Sequence, residues 1–137
     1  MRNLQRMQTV NLSLRIPKRD NAVLASHSAR RSSRPATVGA ELLSRAIRAL
    51  THPAVDFERT PDGGFKARLA GYRVGVWIIV DTARRLGRTK AAANLSLPPA
   101  LVVAALNYAA DYPEEIAEDT RLGNRTLKEC GLEEASL

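Results

Sequence analysis

Between Thr9 and Pro17 apolar and polar side chains alternate strictly, with Val10, Leu12, Leu14 and Ile16 on one side and Asn11, Ser13 and Arg15 on the other. A period of two is that of a strand with one buried face, and Pro17, which has no N–H for a ladder, ends it. Residues 1–7 ahead of it show no such pattern and are expected to be weakly ordered. After Pro17 the spacing lengthens. A short helix is expected from Lys18 to about Arg31, on a weak stripe of Ala22, Val23, Leu24, Ala25 and Ala29. Ser32-Ser33-Arg34-Pro35 then reads as a second helix start, with Ser33 or a neighbour capping and Pro35 near the first helical position. Val38, Leu42, Leu43, Ala46, Ile47 and Leu50 form one apolar stripe on that helix, in spite of Gly39.

Thr51-His52-Pro53 is a short joint. Beyond it Val55 and Phe57 alternate with Asp56 and Glu58, Pro61-Asp62-Gly63-Gly64 supplies a turn, and Phe65, Ala67 and Leu69 alternate on the return. That is a β-hairpin. Val74 to Leu86 is apolar on more than one side, which predicts a buried central helix that Gly87 can end. Thr89 to Asn94 predicts a short helix, Pro98-Pro99 opens another that reaches Tyr108 to Asp111, and Pro113-Glu114-Glu115 begins one more turn or helix. From about Gly123 the periodicity fades, so a mobile tail is expected. The expected fold is therefore α+β, with a first module at 8–52, a hairpin and helical module at 53–122, and an acidic tail at 123–137.

Composition narrows the class. The 137 residues suffice for one ordinary domain or two small ones. A hydrophobic fraction of 45% excludes a disordered chain, and aromatics at only 4% leave the core to Leu, Val, Ile and Ala. No apolar run approaches the roughly 18–20 residues of a membrane span, and the first residues lack the apolar block of a signal peptide. The single cysteine, Cys130, cannot form an internal disulfide, which fits a reducing cytoplasm. A net charge of +7 suggests a polyanionic partner, nucleic acid being the commonest. Its distribution is sharper: residues 1–52 hold 10 Lys/Arg against 2 Asp/Glu, residues 53–110 hold 8 against 4, and residues 111–137 hold 3 against 8.

A lone strand leaves its backbone groups unpaired, and the next expected strand lies beyond two helices. The economical partner is the same strand of a second copy. Such a ribbon would put Val10, Leu12, Leu14 and Ile16 of both chains into a core and Asn11, Ser13 and Arg15 on the outer face. A two-stranded ribbon fits the major groove, where Arg15 suits guanine, Asn11 suits adenine and Ser13 either. Asn11-Leu12-Ser13-Leu14-Arg15-Ile16-Pro17, with Ser33-Arg34 ahead of Ala40-Glu41-Leu42-Leu43, resembles the ribbon-helix-helix repressors of the Arc, MetJ and CopG type over about residues 8–50. The resemblance implies an intermolecular ribbon over two helices, with bases read by Asn11, Ser13 and Arg15. It also implies a phosphate held at the second helix start by Ser33 and Arg34, with Arg30 and Arg31 beside them, where free N–H groups favour an anion. In this chain Arg30-Arg31-Ser32 stands where that family commonly has a turn glycine.

Residues 53–120 resemble a small bacterial domain of unassigned function, often found in antitoxins encoded beside PIN-like ribonuclease toxins. His52-Pro53, the Phe57-to-Leu69 hairpin, Val74-Gly75-Val76-Trp77, Leu97-Pro98-Pro99-Ala100-Leu101-Val102 and Ala110-Asp111-Tyr112-Pro113-Glu114-Glu115-Ile116 carry that likeness. It implies a helix-turn-helix-like bundle used for association. A recognition helix needs polar side chains near its start, and the helix from Pro98 opens Pro98-Pro99-Ala100-Leu101-Val102-Val103. Packing is the better reading of it, with Arg84, Arg85, Arg88 and Lys90 placed to touch phosphates from the side. Glu114, Glu115, Glu118 and Asp119 are either a solvated acidic end or a surface for a basic toxin.

Catalysis finds little support. His27 and His52 are isolated, two histidines and one cysteine make no zinc spacing, and no nucleophile elbow or phosphate loop occurs. No enzyme activity, metal or cofactor is expected. The expected function is a dimeric, sequence-specific DNA-binding repressor whose partners are an operator duplex, a second copy and a toxin such as a PIN-like ribonuclease. Its most specific form is a type II antitoxin that represses its own operon and neutralises the toxin through its C-terminal half. A stand-alone ribbon-helix-helix transcription factor and a protein-interaction adaptor with incidental basic charge remain open.

Overall fold

The structure, a computed structural model, describes residues 8–61 and 63–131. The element order among them is α1 (Lys18–Arg30), α2 (Pro35–Thr51), β1 (Val55–Arg59), β2 (Phe65–Leu69), α3 (Val76–Leu86), α4 (Arg88–Leu95), α5 (Pro99–Asp111) and α6 (Pro113–Glu129). The chain divides into two compact units, Met1–Glu41 and Leu42–Leu137. That boundary falls inside α2, not at the Thr51-His52-Pro53 joint, because His52 is tied into the second unit.

The expected N-terminal strand does not form. Residues 8–17 carry neither strand nor ladder pairing, and the sheet among the described residues is the mid-chain β1–β2 hairpin. The fold is thus mainly helical with one two-stranded antiparallel sheet, and the α+β ribbon-helix-helix assignment is overturned. Alternation decides which side chains share a face; it does not supply a hydrogen-bonding partner. Among the described residues the strands available to pair are β1 and β2, and they pair with each other. Val10, Leu12, Leu14 and Ile16, expected as ribbon core, are all exposed, Val10 to 91%.

In the first unit α1 ends in a tight reversal. The N–H of Ser33 donates to the Ser28 carbonyl and that of Ser32 to the Ala29 carbonyl, the paired bonds of a Schellman motif. Ser32 takes the left-handed position at φ 54°, where a glycine would be unstrained. The Ser28 hydroxyl donates back to the Leu24 carbonyl at 2.7 Å. In α2, Gly39 faces the Leu24 side chain. The Val38 N–H bonds to the Arg34 carbonyl, so Arg34, the neighbour of Ser33, holds the cap position, and the Ser33 hydroxyl turns back to the Arg31 carbonyl. Of the apolar stripe on α2 only Val38 is buried; Leu42, Ile47 and Leu50 are exposed, Leu50 to 80%.

The second unit is where the core lies. The hairpin pairs Val55 with Leu69 and Phe57 with Ala67, so the alternating apolar positions share one face, as expected. That face and helices α3, α5 and α6 enclose Val55, Leu69, Ile79, Val102, Tyr108 and Ile116 among others. Helix α3 sits centrally, packed on α4, α5, α6 and β2. Gly87 ends it with φ 83°, and α4 begins at the next residue. Helix α6 continues to Glu129, so the tail boundary expected at Gly123 falls within a packed helix. Gly123 is there for space: a Cβ on it would lie 2.3 Å from the Trp77 ring. Of the expected tail, residues 132–137 lie outside the described residues, as do residues 1–7 and Asp62 of the hairpin turn.

Candidate nucleic-acid interface

Residues 8–17 form an exposed arm without regular secondary structure ahead of α1, and Asn11, Ser13 and Arg15 are all open to solvent on it. Lys18 and Arg19 follow at the exposed start of α1. At the far end of α1, Arg30 is exposed, and so is Arg34 at the start of α2. Arg31 is less available: its guanidinium lies 3.3 Å from Glu41 and its side chain is largely covered. Ser33 is half-buried and its hydroxyl is directed to its own turn. Of the expected phosphate group, Arg30 and Arg34 are exposed with no ion pair among the described residues, while Arg31 and Ser33 support the turn. The unit carries 8 Lys/Arg against 2 Asp/Glu, a net of +6, on 41 residues.

Of the acidic residues expected to meet a toxin, Glu115 and Asp119 are engaged inside the second unit, while Glu118 is exposed. Glu115 accepts from the Arg48 guanidinium and, at 2.5 Å, from the Tyr108 hydroxyl, while Arg48 also donates to the Tyr108 oxygen at 2.8 Å. Burial opposes the charge on Arg48, but the hydrogen bond and charge of Glu115 hold its pKa above the usual value. Burial and then the Glu115 carboxylate push the Tyr108 phenol well up, so it stays a hydroxyl donor. Arg48 also lies 4.0 Å over the Tyr112 ring, and His52 sits 2.7 Å from Asp111 and edge-on to Tyr108. Glu118 pairs with Arg121, whose hydrogen bond lowers the Glu118 pKa. Asp119 is 7% exposed, with one carboxylate oxygen unpartnered. Burial, then the nearby Glu115 charge, raises its pKa to about 6, with Lys66 and Arg45 pulling the other way. Glu114 is half-buried.

Sequence reasoning missed this Arg48–Tyr108–Glu115 network, whose members stand 60 and 67 residues apart from Arg48. The charge signal that pointed to an acidic surface was real, but its partners lay across the chain. The helix-turn-helix geometry is present: α4 and α5 meet at 114°, joined by Ser96, Leu97 and Pro98. Ser96 turns the chain at φ 54°, and Leu97 is buried beneath the corner. The start of α5 exposes Pro99 and Ala100, so it has no side-chain donor for a base edge. Among the described residues no group of His, Cys, Asp and Glu could hold a metal ion, and no single helix is long and apolar enough to cross a membrane. No protein-family model, curated protein or solved structure matches the chain.

Proposed function

We propose that the chain is a DNA-binding transcriptional regulator that acts in the cytoplasm as a dimer or higher oligomer. The supporting observation is the first unit: a net charge of +6, with Asn11, Ser13, Arg15, Arg30 and Arg34 all exposed. Asn11, Ser13 and Arg15 on the arm are the base-contacting groups, and Arg30 and Arg34 take backbone phosphates. Val10, Leu12, Leu14 and Ile16 are uncovered in a single chain, and a second copy is the partner that covers them.

The antitoxin form of this reading draws support from the resemblance of residues 53–120. The internal use of Glu115 and Asp119 favours the alternative, a self-contained regulator whose second unit builds the oligomer. Co-purification of a small stoichiometric partner from the native host separates the two.

The DNA-binding reading is tested by selecting a preferred duplex from a random pool and comparing variants on it and on random sequence. Arg15→Ala is expected to cost ~1–3 kcal/mol on the selected site and little on random DNA. Equal loss on both would remove Arg15 from base reading. Arg34→Ala is expected to weaken both and to flatten the salt dependence by about one unit.

A further inference from the structure

The second unit has a basic patch in which, among the described residues, a carboxylate serves only Arg85. Residues 82–110 contain no Asp or Glu, and their four basic residues, Arg84, Arg85, Arg88 and Lys90, fall within seven positions. Elsewhere in the unit several arginines are matched: Arg48 with Glu115, Arg68 with Asp56, Arg121 with Glu118 and Arg125 with Glu129. In the patch Arg85 is paired with Asp81 at 3.3 Å. Arg84, Arg88 and Lys90 are exposed and have no ion pair among the described residues. The fold keeps them together, because a single residue, Gly87, separates the last turn of α3 from the first turn of α4. Exposed like charges so close repel one another and contribute nothing to the core, so their arrangement is explained by a partner rather than by folding.

We propose that Arg84, Arg88 and Lys90 form a second, sequence-independent contact with the phosphate backbone of duplex DNA, made by the second unit. The helix-turn-helix geometry indicates which part of the duplex they meet. In such a pair the first helix crosses the backbone and the second enters the groove. Here the first helix, α4, carries the charge, whereas the second, α5, opens with Pro99 and Ala100 and reads nothing. The second unit thus grips without discriminating, and sequence preference is left to the arm. Two attachment points on one chain raise the effective concentration of each at the DNA, so a weak contact contributes strongly to the whole.

This inference rests on the DNA-binding reading, and the experiment separates the two. The full chain and its Arg84→Gln/Arg88→Gln/Lys90→Gln variant are titrated against a fluorescent random-sequence duplex at several salt concentrations. A second variant, Arg121→Gln/Arg125→Gln/Lys128→Gln, removes three charges from α6, two of them paired, and controls for net charge. The expected result is a salt slope about two to three units shallower for the triple variant, with roughly tenfold or greater loss of affinity at low salt. The control is expected to keep the parent slope. An unchanged slope in the triple variant, with the parent still binding, overturns the patch and leaves the arm. Equal flattening in the control also overturns it. Absence of binding by the parent chain overturns the DNA-binding reading itself.

Discussion

The two units bury their side chains on different terms. Among the described residues the first unit buries only Ser28 and Val38, while the second encloses a continuous apolar cluster from Val55 to Ile116. The first carries a net charge of +6; the second, with 13 Lys/Arg against 12 Asp/Glu, carries +1 and places many of its charges in internal pairs. Chains of about 40 residues rarely bury enough surface to fold without help. A basic, thinly buried segment beside a well-packed one is the division expected where one part holds shape and the other adapts to a partner. Val10, Leu12 and Val23 in the first unit stand more open than any large apolar side chain of the hairpin or of α3 to α6, although Leu50, at the end of α2 in the second unit, is 80% exposed.

The strongest way to break the comparison is to fill the space under Trp77. Gly123→Ala puts a carbon 2.3 Å from the partly buried Trp77 ring, and α6 and α3, which pack on each other, must separate or the ring must shift to make room. A loss of about 1–3 kcal/mol is expected, near the upper end. Trp77 is the single tryptophan, so urea unfolding followed by its fluorescence reports the second unit selectively. Leu14→Ser, at an exposed site, is expected to leave the same midpoint unchanged within about 0.5 kcal/mol. A Gly123→Ala midpoint equal to the parent would mean that α6 is not fastened there.

That contact also marks where the sequence stopped being legible. Local signals carried well: the Val55–Phe57 and Phe65–Leu69 alternation gave the hairpin, Gly87 gave the end of α3, and Pro99 the start of α5. Each depends on chemistry within a few residues. Gly123 read as the beginning of a tail because its reason for being glycine is Trp77, 46 positions earlier. The same holds for Glu115, whose meaning lies in Arg48 and Tyr108. The arm failed in the opposite way. Its pattern was clear, but a pattern of faces needs a surface to meet, and the described residues offer residues 8–17 none. Of the candidate interface, the exposed basic and polar groups were legible. The diversion of Arg31 to Glu41 and of Ser33 to its own turn was not.

A smaller effect sharpens the contrast through pH. The folded pKa of Asp119, about 6, lies above its ordinary value of 3.8, so folding favours the protonated acid. The contribution is fully present below the unfolded value and is lost as pH rises through about 6. Lowering the pH from 7.5 to 5 is therefore expected to raise the stability of the second unit by about 1.4 kcal/mol from this group. The groups facing it are Glu115 and Glu118, which sustain the raised value, and Lys66 and Arg45, which oppose it. Asp119→Asn is expected to flatten this part of the profile and to stabilise the unit at pH 7.5. A parent profile no steeper than that of the variant would show that Asp119 is not strained.

The smallest effect belongs to the first unit. Ser32 occupies the left-handed turn position between α1 and α2 with the two Schellman bonds already formed, so Ser32→Gly changes no hydrogen bond. It relieves the crowding that a side chain suffers at positive φ, while adding freedom to the unfolded chain. A net gain of about 0.5–1 kcal/mol is expected for the α1–α2 turn. Amide hydrogen exchange is the suitable measurement, because it resolves α1 from the rest. Slower exchange in Lys18–Arg30 with an unmoved Trp77 midpoint is expected if the first unit opens on its own, as its sparse burial implies. An equal shift in both would mean that the chain unfolds as one body. The exposed arm would then ride on a scaffold as stable as the core, and its adaptability to a partner would be confined to residues 8–17.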